Sequence, residues 1–346
     1  MFLRCQRCST DCSLDRRTPW CDCGGVFDLE FTPKTLDIDS SEHSLWRYAS
    51  ALPVNTRVSL GEPITPIVSL HLAGRRIDAK LDFLFPTGSF KDRGAAVMIT
   101  AMKEAGVDRF VEDSSGNAGA AMSAYGARAG IPCEIYCPSS ASPMKIAQIE
   151  RTGATIRQID GPRENTTAAV MKIAGSVFYA SHNWHPLFLH GTKTMAYEIA
   201  EHYGWNPPDH IVAPAGGGSA VLGLHLGFAE MVRLKRVPRM PHFHAVQVEA
   251  CAPLVYAEVI PKPSVAEGIL SPNPPRLAMI RGAITSAVTV SEAEIQAGFH
   301  ALVRQGVLVE PTSAVVVPAL PKLRISETDS VLIVLTGSGL KFQGKL

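Results

Sequence analysis

Short apolar runs alternate with helix-like stretches through the middle of the chain. After Arg109, the pattern predicts strands at 110–111, 134–136, 155–159 and 177–180, and helices at 118–128, 143–151 and 164–174. Alternation of this kind is typical of a parallel β-sheet with helices on both faces. We therefore expect an α/β fold in which ligands bind beyond the carboxyl ends of the strands.

One strand-to-helix junction places a lysine where its charge is unfavourable. The apolar run 81–85 is predicted to end a strand, and a helix is predicted from about residue 90 to residue 104. Ser89 and Asp92 have the spacing of an N-cap residue and a first-turn acid. Lys91 then lies at the positive end of the helix dipole, which disfavours its charged form and suits a nucleophile or base. The alternative is a solvated surface lysine.

Two further loops follow predicted strands and have unusual compositions. The serine loop, residues 113–119, offers hydroxyls, an amide and backbone N–H groups that suit a carboxylate or a phosphate. The glycine loop, residues 216–219, allows close approach of the backbone to an anion. It is neither a dinucleotide fingerprint, because Val221 replaces the third glycine, nor a P-loop, because no Gly-Lys-Ser/Thr follows.

Near the C-terminus, the apolar run 331–335 ends at Thr336, which is either a turn residue or a ligand contact.

The N-terminal segment is rich in cysteine. Five of the eight cysteines lie within the first 23 residues: Cys5, Cys8, Cys12, Cys21 and Cys23. Cys5-x-x-Cys8 with Cys21-x-Cys23 is similar to the two knuckles of a zinc ribbon, although the second knuckle is one residue short. A structural zinc on Cys5, Cys8, Cys21 and Cys23 is one interpretation, with Cys12 as a replacement ligand. Free thiols are the other.

Composition limits the partners and the compartment. The 33 basic and 32 acidic residues give a net charge of +1, so neither nucleic acid nor a membrane surface is expected as a partner. No apolar run approaches the roughly 18 residues that span a bilayer, and the first residues lack an apolar signal core. We expect a cytoplasmic protein with reduced thiols.

Taken together and in order, the motifs resemble those of the threonine synthase branch of the fold-type II, tryptophan synthase β-like, pyridoxal-phosphate-dependent enzymes. The resemblance is carried by Pro-Thr-Gly-Ser-Phe-Lys-Asp-Arg-Gly at 86–94, Ser-Ser-Gly-Asn-Ala-Gly at 114–119 and Glu-Pro-Thr-Ser-Ala at 310–314. It implies two doubly wound parallel-sheet lobes with the cofactor in the cleft. The expected divisions are a zinc-ribbon-like segment at 1–40, a large cofactor-binding lobe at 46–93 and 182–346, and a small mobile lobe at 94–181.

The resemblance also implies a role for individual residues. Lys91 is expected to bind pyridoxal 5'-phosphate covalently and to move the substrate α-proton. Asn117 is expected to bind the ring hydroxyl oxygen, and Thr336 to face the pyridine nitrogen. The cofactor phosphate is assigned to Gly216, Gly217, Gly218 and Ser219, and the substrate carboxylate to Ser114, Ser115 and Ala118. A homodimer acting on a small amino acid is expected.

The departures from the family pattern concern the substrate. Phe188 occupies the position of an arginine that helps bind the substrate phosphate, and an apolar ring cannot replace that ligand. Phosphohomoserine is then a poor fit unless Lys193 or His190 compensates. A serine or threonine dehydratase and a phosphoserine-using enzyme similar to cysteate synthase are the alternatives. A non-catalytic binding protein is less consistent with the presence of Lys91 and Asn117.

Overall fold

The computed structural model describes residues 1–141, 143–161 and 163–342. The expected lobes 94–181 and 182–346 therefore include Ser142, Pro162 and 343–346, which lie outside the described residues. The strands are β1 Leu3–Cys5, β2 Asp11–Cys12, β3 Phe27–Leu29, β4 Ile67–Leu72, β5 Arg75–Leu81, β6 Phe110–Glu112, β7 Cys133–Pro138, β8 Thr155–Ile159, β9 Phe178–Tyr179, β10 His210–Pro214, β11 His242–Val248, β12 Ser286–Val290 and β13 Val331–Leu335.

Helices follow most of the strands. They are α1 Lys91–Glu104, α2 Asn117–Ala129, α3 Pro143–Glu150, α4 Arg163–Ile173, α5 Pro186–Thr192, α6 Thr194–His202, α7 Ser219–Arg233, α8 Leu277–Ala283, α9 Glu292–Val303, α10 Pro311–Ala314 and α11 Val316–Ala319. Shorter 3-10 helices lie at Leu45–Ala51, Glu267–Ile269, Leu320–Lys322 and Gly339–Lys341. Among the described residues, no helix is both long enough and apolar enough to cross a bilayer.

The chain divides into two compact units. The small-sheet unit comprises Met1–Glu62 and Lys91–Gly191, and the large-sheet unit comprises Pro63–Phe90 and Thr192–Leu346. The cysteine-rich segment belongs to the small-sheet unit. The chain returns from the large-sheet unit to the small-sheet unit between Phe90 and Lys91. The lobe boundaries expected from the sequence remain a prediction.

A parallel sheet forms the centre of the small-sheet unit. Its strand order is β8-β7-β6-β9, and β6 pairs in parallel with both β7 and β9. Helix α1 is buried without interruption from Asp92 to Met102, as expected for a helix enclosed by other elements rather than lying on the surface. The carboxyl ends of β6 and β9 are therefore neighbours at one edge of this sheet.

The N-terminal residues fold onto the open edge of the same sheet. Strands β2-β1-β3 form a small antiparallel sheet, and the segment that follows β2 reaches β9. There, Tyr179 N donates to the backbone oxygen of Arg17 at 2.9 Å. The ring of Trp20 lies edge-on to Tyr179 at 5.8 Å and packs against the local core. The cysteine-rich segment is therefore attached to β9 by backbone and ring contacts.

The large-sheet unit contains a six-stranded sheet of order β12-β11-β10-β13-β5-β4. All its pairings are parallel except that of β4 with β5. Central strand β13 is buried at every position, which matches its apolar sequence. Strand β5 ends at Leu81, the first residue of the run 81–85 that was expected to end a strand, and the next residue, Asp82, is buried and accepts a hydrogen bond from Thr65 Oγ1 at 2.6 Å.

Candidate functional site

Lys91 begins α1, and its ammonium group lies over an aromatic ring. Lys91 Nζ is 5.6 Å from the centroid of the Phe188 ring, within cation–π range. The ring is fully buried and lies against Gly94, where an added Cβ would come within 2.4 Å of ring carbons. Gly94 therefore allows Phe188 to reach the start of the helix that presents Lys91.

The residues just before Lys91 are held in the large-sheet unit by backbone pairing. Phe90 N donates to Thr336 O at 3.0 Å, and Ser338 N donates to Gly88 O at 3.0 Å. The buried hydroxyl of Ser89 has no hydrogen-bond partner in the described part of the chain. The spacing of Ser89 had predicted an N-cap for α1, but its side chain makes no such hydrogen bond. The backbone pairing at Gly88 and Phe90 holds the segment that leads into Lys91.

The serine loop follows β6 at the carboxyl edge of the small sheet. Ser114 is buried, whereas Ser115 and Asn117 are partly exposed. The loop folds closely over the first turn of α2, because an added Cβ at Gly119 would lie 1.8 Å from the Ser114 carbonyl oxygen. Helix α2 begins at Asn117 without a side-chain cap, so its amino end suits a carboxylate.

The glycine loop follows β10 in the large-sheet unit and leads into α7. That helix also begins without a side-chain cap, and Gly218 has a φ of +84°. Two of the glycines have packing reasons as well. A Cβ added to Gly216 would lie 2.8 Å from the Cα of Ile269. A Cβ added to Gly218 would lie 2.3 Å from the side chain of Ile280. The loop thus combines close packing with an uncapped helix start that suits a phosphate.

Thr336 follows β13, which is the parallel neighbour of β10. It therefore lies at the same edge of the large sheet as the glycine loop. Its hydroxyl is buried and lies 3.1 Å from Ser313 Oγ, which also accepts from the backbone N–H groups of Thr336 and Gly337. Sequence reasoning had assigned Ser313 no role, although it lies in the Glu-Pro-Thr-Ser-Ala motif at 310–314.

A second group that sequence reasoning missed lies beside the serine loop. Glu112, the last residue of β6, is fully buried, and its Oε1 is 2.7 Å from His182 Nδ1. The ring of His182 lies edge-on to Phe188 at 5.8 Å between centroids. The next residue, Asp113, accepts a hydrogen bond from Thr167 Oγ1 at 2.9 Å. In the sequence, the one sign of this group was that the charged Glu112 ends the otherwise apolar strand β6.

Four of the five N-terminal cysteines converge. The sulfur atoms of Cys5, Cys8, Cys21 and Cys23 all lie within 4.8 Å of one another, with Cys5–Cys23 and Cys8–Cys21 both at 3.5 Å. Zinc–sulfur bonds of about 2.3 Å in a tetrahedron separate the sulfur atoms by about 3.8 Å. Hydrogen bonding from the Thr10 side chain lowers the pKa of Cys8 to about 6, whereas burial and hydrogen bonds from neighbouring thiols raise the pKa of Cys21 and Cys23, so without metal the thiolate is favoured at Cys8.

Cys12 lies outside this group of four. Its sulfur instead accepts a contact from Arg16 Nη1 at 3.8 Å, so it does not replace one of the other ligands in this arrangement. Gly25 is needed beside the cluster, because an added Cβ would approach Cys5 Sγ to 2.7 Å. The donor set and its spacing fit one tetrahedral zinc.

Two parallel-sheet units, with a helix-start lysine in one and an uncapped glycine loop in the other, define a class of α/β enzymes that bind a phosphorylated aldehyde cofactor. The sequence model of the pyridoxal-phosphate dependent enzymes matches residues 58–337. The chain belongs to that family, and pyridoxal 5'-phosphate is its cofactor. The resemblance recognised in the sequence is thereby confirmed, as is the α/β class with parallel sheets.

Individual relatives agree with this assignment. The chain is 30% identical to the threonine synthase of Methanocaldococcus jannaschii, with 99% of this chain and 93% of the relative covered. It is 31% identical to the threonine synthase of Methanosarcina acetivorans, with 98% and 92% covered. Among solved structures, a pyridoxal 5'-phosphate-dependent aspartate racemase superposes with a TM-score of 0.70 at 22% identity, covering 80% of this chain and 90% of that one.

The residues present fit the cofactor on structural grounds. Lys91 provides a primary amine at a helix start, and the uncapped start of α7 suits a phosphate dianion. The orphaned hydroxyl of Ser89 is a buried polar atom that a bound ligand could satisfy. The roles assigned to Asn117, Thr336 and the serine loop remain predictions.

Proposed function

We propose that the protein catalyses elimination or replacement on a small amino acid with an oxygen-linked leaving group, in the manner of a threonine synthase. The observation that carries the proposal is Lys91 at the start of α1 with the serine loop in the same unit. Similarity to threonine synthases along nearly the whole chain supports the same choice. The reaction class is then that of a carbon–oxygen lyase or synthase.

Pyridoxal phosphate supplies, when bound, an electron-withdrawing ring that stabilises negative charge at the substrate α-carbon. Lys91 would hold the cofactor covalently and carry the α-proton between steps. Ser114, Ser115 and the N–H groups near Ala118 would bind the substrate carboxylate. Asn117 would bind the ring hydroxyl oxygen, and the glycine loop would bind the phosphate at the start of α7.

Thr336 would set the character of the reaction. Its hydroxyl is held by Ser313 and is neutral, so it does not enforce a protonated pyridine nitrogen as a carboxylate would. A milder electron sink suits elimination and replacement better than transamination. This assignment predicts that Thr336→Asp raises the ratio of transamination to replacement.

A substrate panel tests the proposal. The cofactor-loaded protein would be mixed with O-phosphohomoserine, O-phosphoserine, serine and threonine, while inorganic phosphate and amino-acid products are measured. Phosphate released together with an amino-acid product, from either O-phosphohomoserine or O-phosphoserine, supports the proposal. Ammonia and a 2-oxo acid from serine or threonine, without phosphate release, would assign the protein to the dehydratases instead.

We propose in addition that Cys5, Cys8, Cys21 and Cys23 bind one structural zinc. Four protein ligands leave no open position for chemistry, and the segment is too small for a core of its own. Metal analysis of protein purified without chelator should give about one equivalent, as a four-ligand site implies. Cys12→Ser should retain the metal, whereas Cys21→Ser should lose it.

We also propose a homodimer that works in the cytoplasm. Sedimentation of the cofactor-loaded protein tests the assembly, and a monomer at micromolar concentration would contradict it.

A further inference from the structure

The small-sheet unit contains a cavity of about 540 Å³ that is open to solvent. Its volume is within the range of roughly 300–1,000 Å³ that sites for small molecules occupy. Neither Lys91 nor the serine loop lines it, so it is separate from the residues assigned to the cofactor and the substrate. Its walls are formed by charged and hydroxyl side chains with one leucine: Glu42, Ser44, Arg57, Ser59, Leu60 and Arg128.

The two arginines of this cavity are each held by a single protein partner. Nη1 of Arg57 is paired with Oε2 of Glu42, and Nε of Arg128 donates to Ser59 O at 2.9 Å. A guanidinium group has five N–H donors. Most donors of both side chains therefore have no acceptor among the described residues, although each side chain is already oriented by one contact.

Glu42 orients Arg57 without neutralising the cavity. Its Oε1 accepts from Ser44 N at 3.0 Å, and hydrogen bonding from Ser44 and Arg57 lowers the pKa of the carboxyl against the effect of burial. Two arginines and one ionised glutamate leave the walls with a net positive charge. The hydroxyl of Ser44 accepts from Trp46 N at 3.2 Å, and its hydrogen has no acceptor in the described part of the chain. It is therefore a third donor.

This set of donors favours an anion with several oxygen atoms. Guanidinium groups match the geometry of carboxylates and phosphates, and such charge-assisted hydrogen bonds are strong. A phosphate monoester has nearly two negative charges at neutral pH and three accepting oxygens, so it can bind both arginines at once. The cavity is larger than a phosphate group needs. The organic part of an ester would contact Leu60, which is 37% exposed.

The segment that carries Arg57 is bonded to the far end of α1. Val58 N donates to Thr100 Oγ1 at 2.9 Å, and Asn55 N donates to Glu104 Oε1 at 2.7 Å. Thr100 and Glu104 lie in the last two turns of that helix. Arg57 is therefore fixed to α1 through the backbone on both sides of it.

Arg128 lies in the last turn of α2, which packs against α1. Its bond to Ser59 joins that helix to the same segment. A ligand held by Arg57 and Arg128 would therefore connect the ends of two helices that begin at Lys91 and at Asn117. The cavity is thus a place from which a ligand can stabilise the two helices that present expected site residues.

We propose that this cavity binds the phosphate group of a small organic ester between Arg57 and Arg128, with the Ser44 hydroxyl as a third donor. Binding is non-covalent and needs no chemical step. The inference does not depend on the proposed reaction, because neither Arg57 nor Arg128 has a role in it.

Arginine footprinting on the cofactor-loaded protein tests the site. Phenylglyoxal would be used to modify exposed arginines in the presence of glycerol 3-phosphate, inorganic phosphate or sodium chloride at equal ionic strength, and peptide mapping would quantify each modification. Glycerol 3-phosphate has no amino group, so it is not a substrate for an amino-acid reaction. We expect it to protect Arg57 and Arg128 but not Arg76, which lies outside the cavity and is 79% exposed. Inorganic phosphate should protect less, because it lacks the contact with Leu60.

Substitution of one arginine measures whether the two act together. In Arg128→Gln, protection of Arg57 should require roughly tenfold more glycerol 3-phosphate, as expected for the loss of a charge-assisted hydrogen bond. Both side chains are exposed, so the variant should fold as the wild type does. Arg76→Gln removes the same charge elsewhere and is the matched control, in which the protecting concentration should be unchanged.

Each outcome has a definite meaning. Equal protection by sodium chloride and by glycerol 3-phosphate overturns the site, and equal protection by inorganic phosphate overturns the assignment to an ester. Protection of Arg57 in Arg128→Gln at the wild-type concentration overturns joint binding. Protection of both arginines in a protein that converts no amino acid would still support the site, so failure of the proposed function is distinguishable from failure of this inference.

Discussion

Lys91 and Lys193 both lie at the start of a helix and over an aromatic ring, but their burial and their charged partners differ. Lys91 is the first residue of α1, is partly exposed and lies over the Phe188 ring. Lys193 immediately precedes α6, is fully buried and lies 2.8 Å from Glu230 Oε1. Tyr197 donates its hydroxyl hydrogen to the other oxygen of Glu230. Lys193 Nζ also lies 6.0 Å from the centroid of the Tyr197 ring, so the two lysines differ in burial and in the ion pair with Glu230 rather than in the presence of a ring.

The comparison shows that a lowered pKa does not identify a nucleophile. Burial lowers the pKa of Lys193 to about 8, although Glu230 opposes the change. That lysine nevertheless neutralises a buried carboxylate, so its removal would leave Glu230 without its cation. For the same reason, Lys193 is not available to replace the missing arginine at 188. His190 is also buried, with its ring edge-on to Phe31.

The largest expected difference between the two lysines is in cofactor attachment. Lys91→Ala should abolish covalent labelling after borohydride reduction and lower the turnover at least roughly 10³-fold, because both nucleophile and base are lost. Lys193→Met should still be labelled. Peptide mapping of the reduced wild-type protein checks the assignment, and a label on Lys145, Lys193 or Lys341 would contradict it.

The next effect is on the free energy of unfolding, where Lys193 is expected to matter more than Lys91. Lys193→Met should lower the free energy of unfolding by about 3–5 kcal/mol, because Glu230 then remains buried as an uncompensated charge. The double variant Lys193→Met/Glu230→Gln should recover much of this loss, since it leaves no buried charge. Urea unfolding of the cofactor-loaded proteins measures both. Equal stability of the single and double variants would show that the ion pair is not the cause.

A smaller effect tests the ring contact beside Lys91. Gly94→Ala should cost about 1–3 kcal/mol, because its Cβ would overlap the Phe188 ring in a packed core. Gly282→Ala in α8 is the control, since an added Cβ there meets nothing within 4 Å. Alanine at 282 should be neutral or stabilising by up to about 1 kcal/mol. Similar melting temperatures for the two variants would argue against close packing of Phe188 on α1.

The smallest expected effect is on the pH dependence of stability, and it comes from the buried His244, whose hydrogen-bond partners are His210 and Ser286 rather than a carboxylate. His244 Nε2 lies 2.9 Å from His210 Nδ1, and its Nδ1 lies 2.8 Å from Ser286 Oγ. His242 is nearby, and Asp329 is 3.1 Å from the far nitrogen of His210. Burial, followed by the charges of His210 and His242, lowers the pKa of His244 from 6.5 to about 4.

The sign of the resulting pH dependence follows from this direction. Between pH 6.5 and about 4 the unfolded chain binds the proton more readily than the folded one, so stability falls as the pH falls through this window. Stability is no longer lost from this group below about pH 4. His244→Gln should flatten that part of the curve of unfolding free energy against pH. An unchanged slope would assign the acid sensitivity to other groups.

Local patterns predicted the elements that depend on local contacts. The helix expected at 118–128 is observed as Asn117–Ala129, and the strand expected at 155–159 is β8. These agree because apolar periodicity and closing glycines act within a few residues. The glycine loop was located for the same reason, because it closely follows β10, whereas residues 82–90 separate the end of β5 from Lys91.

What escaped prediction depends on residues that are distant in sequence. Glu112 and His182 are 70 positions apart, and they meet only because β6 and β9 are neighbours in the sheet. The pairing of Phe90 with Thr336 and the antiparallel strand β4 are likewise set by strand order. Phe188 was correctly singled out as apolar, but only the fold shows that Gly94 makes room for its ring.

The contact between Arg17 and Tyr179 has a practical consequence for handling the protein. Strand β9 is the outer strand of its sheet, and the N-terminal segment covers its open side. Uncovered strand edges recruit other chains, and proteins normally protect them. A chain shortened to begin after Cys23, or one from which any metal on the four cysteines has been removed, is therefore expected to aggregate during purification before it loses activity. Light scattering would register that aggregation before any assay of turnover.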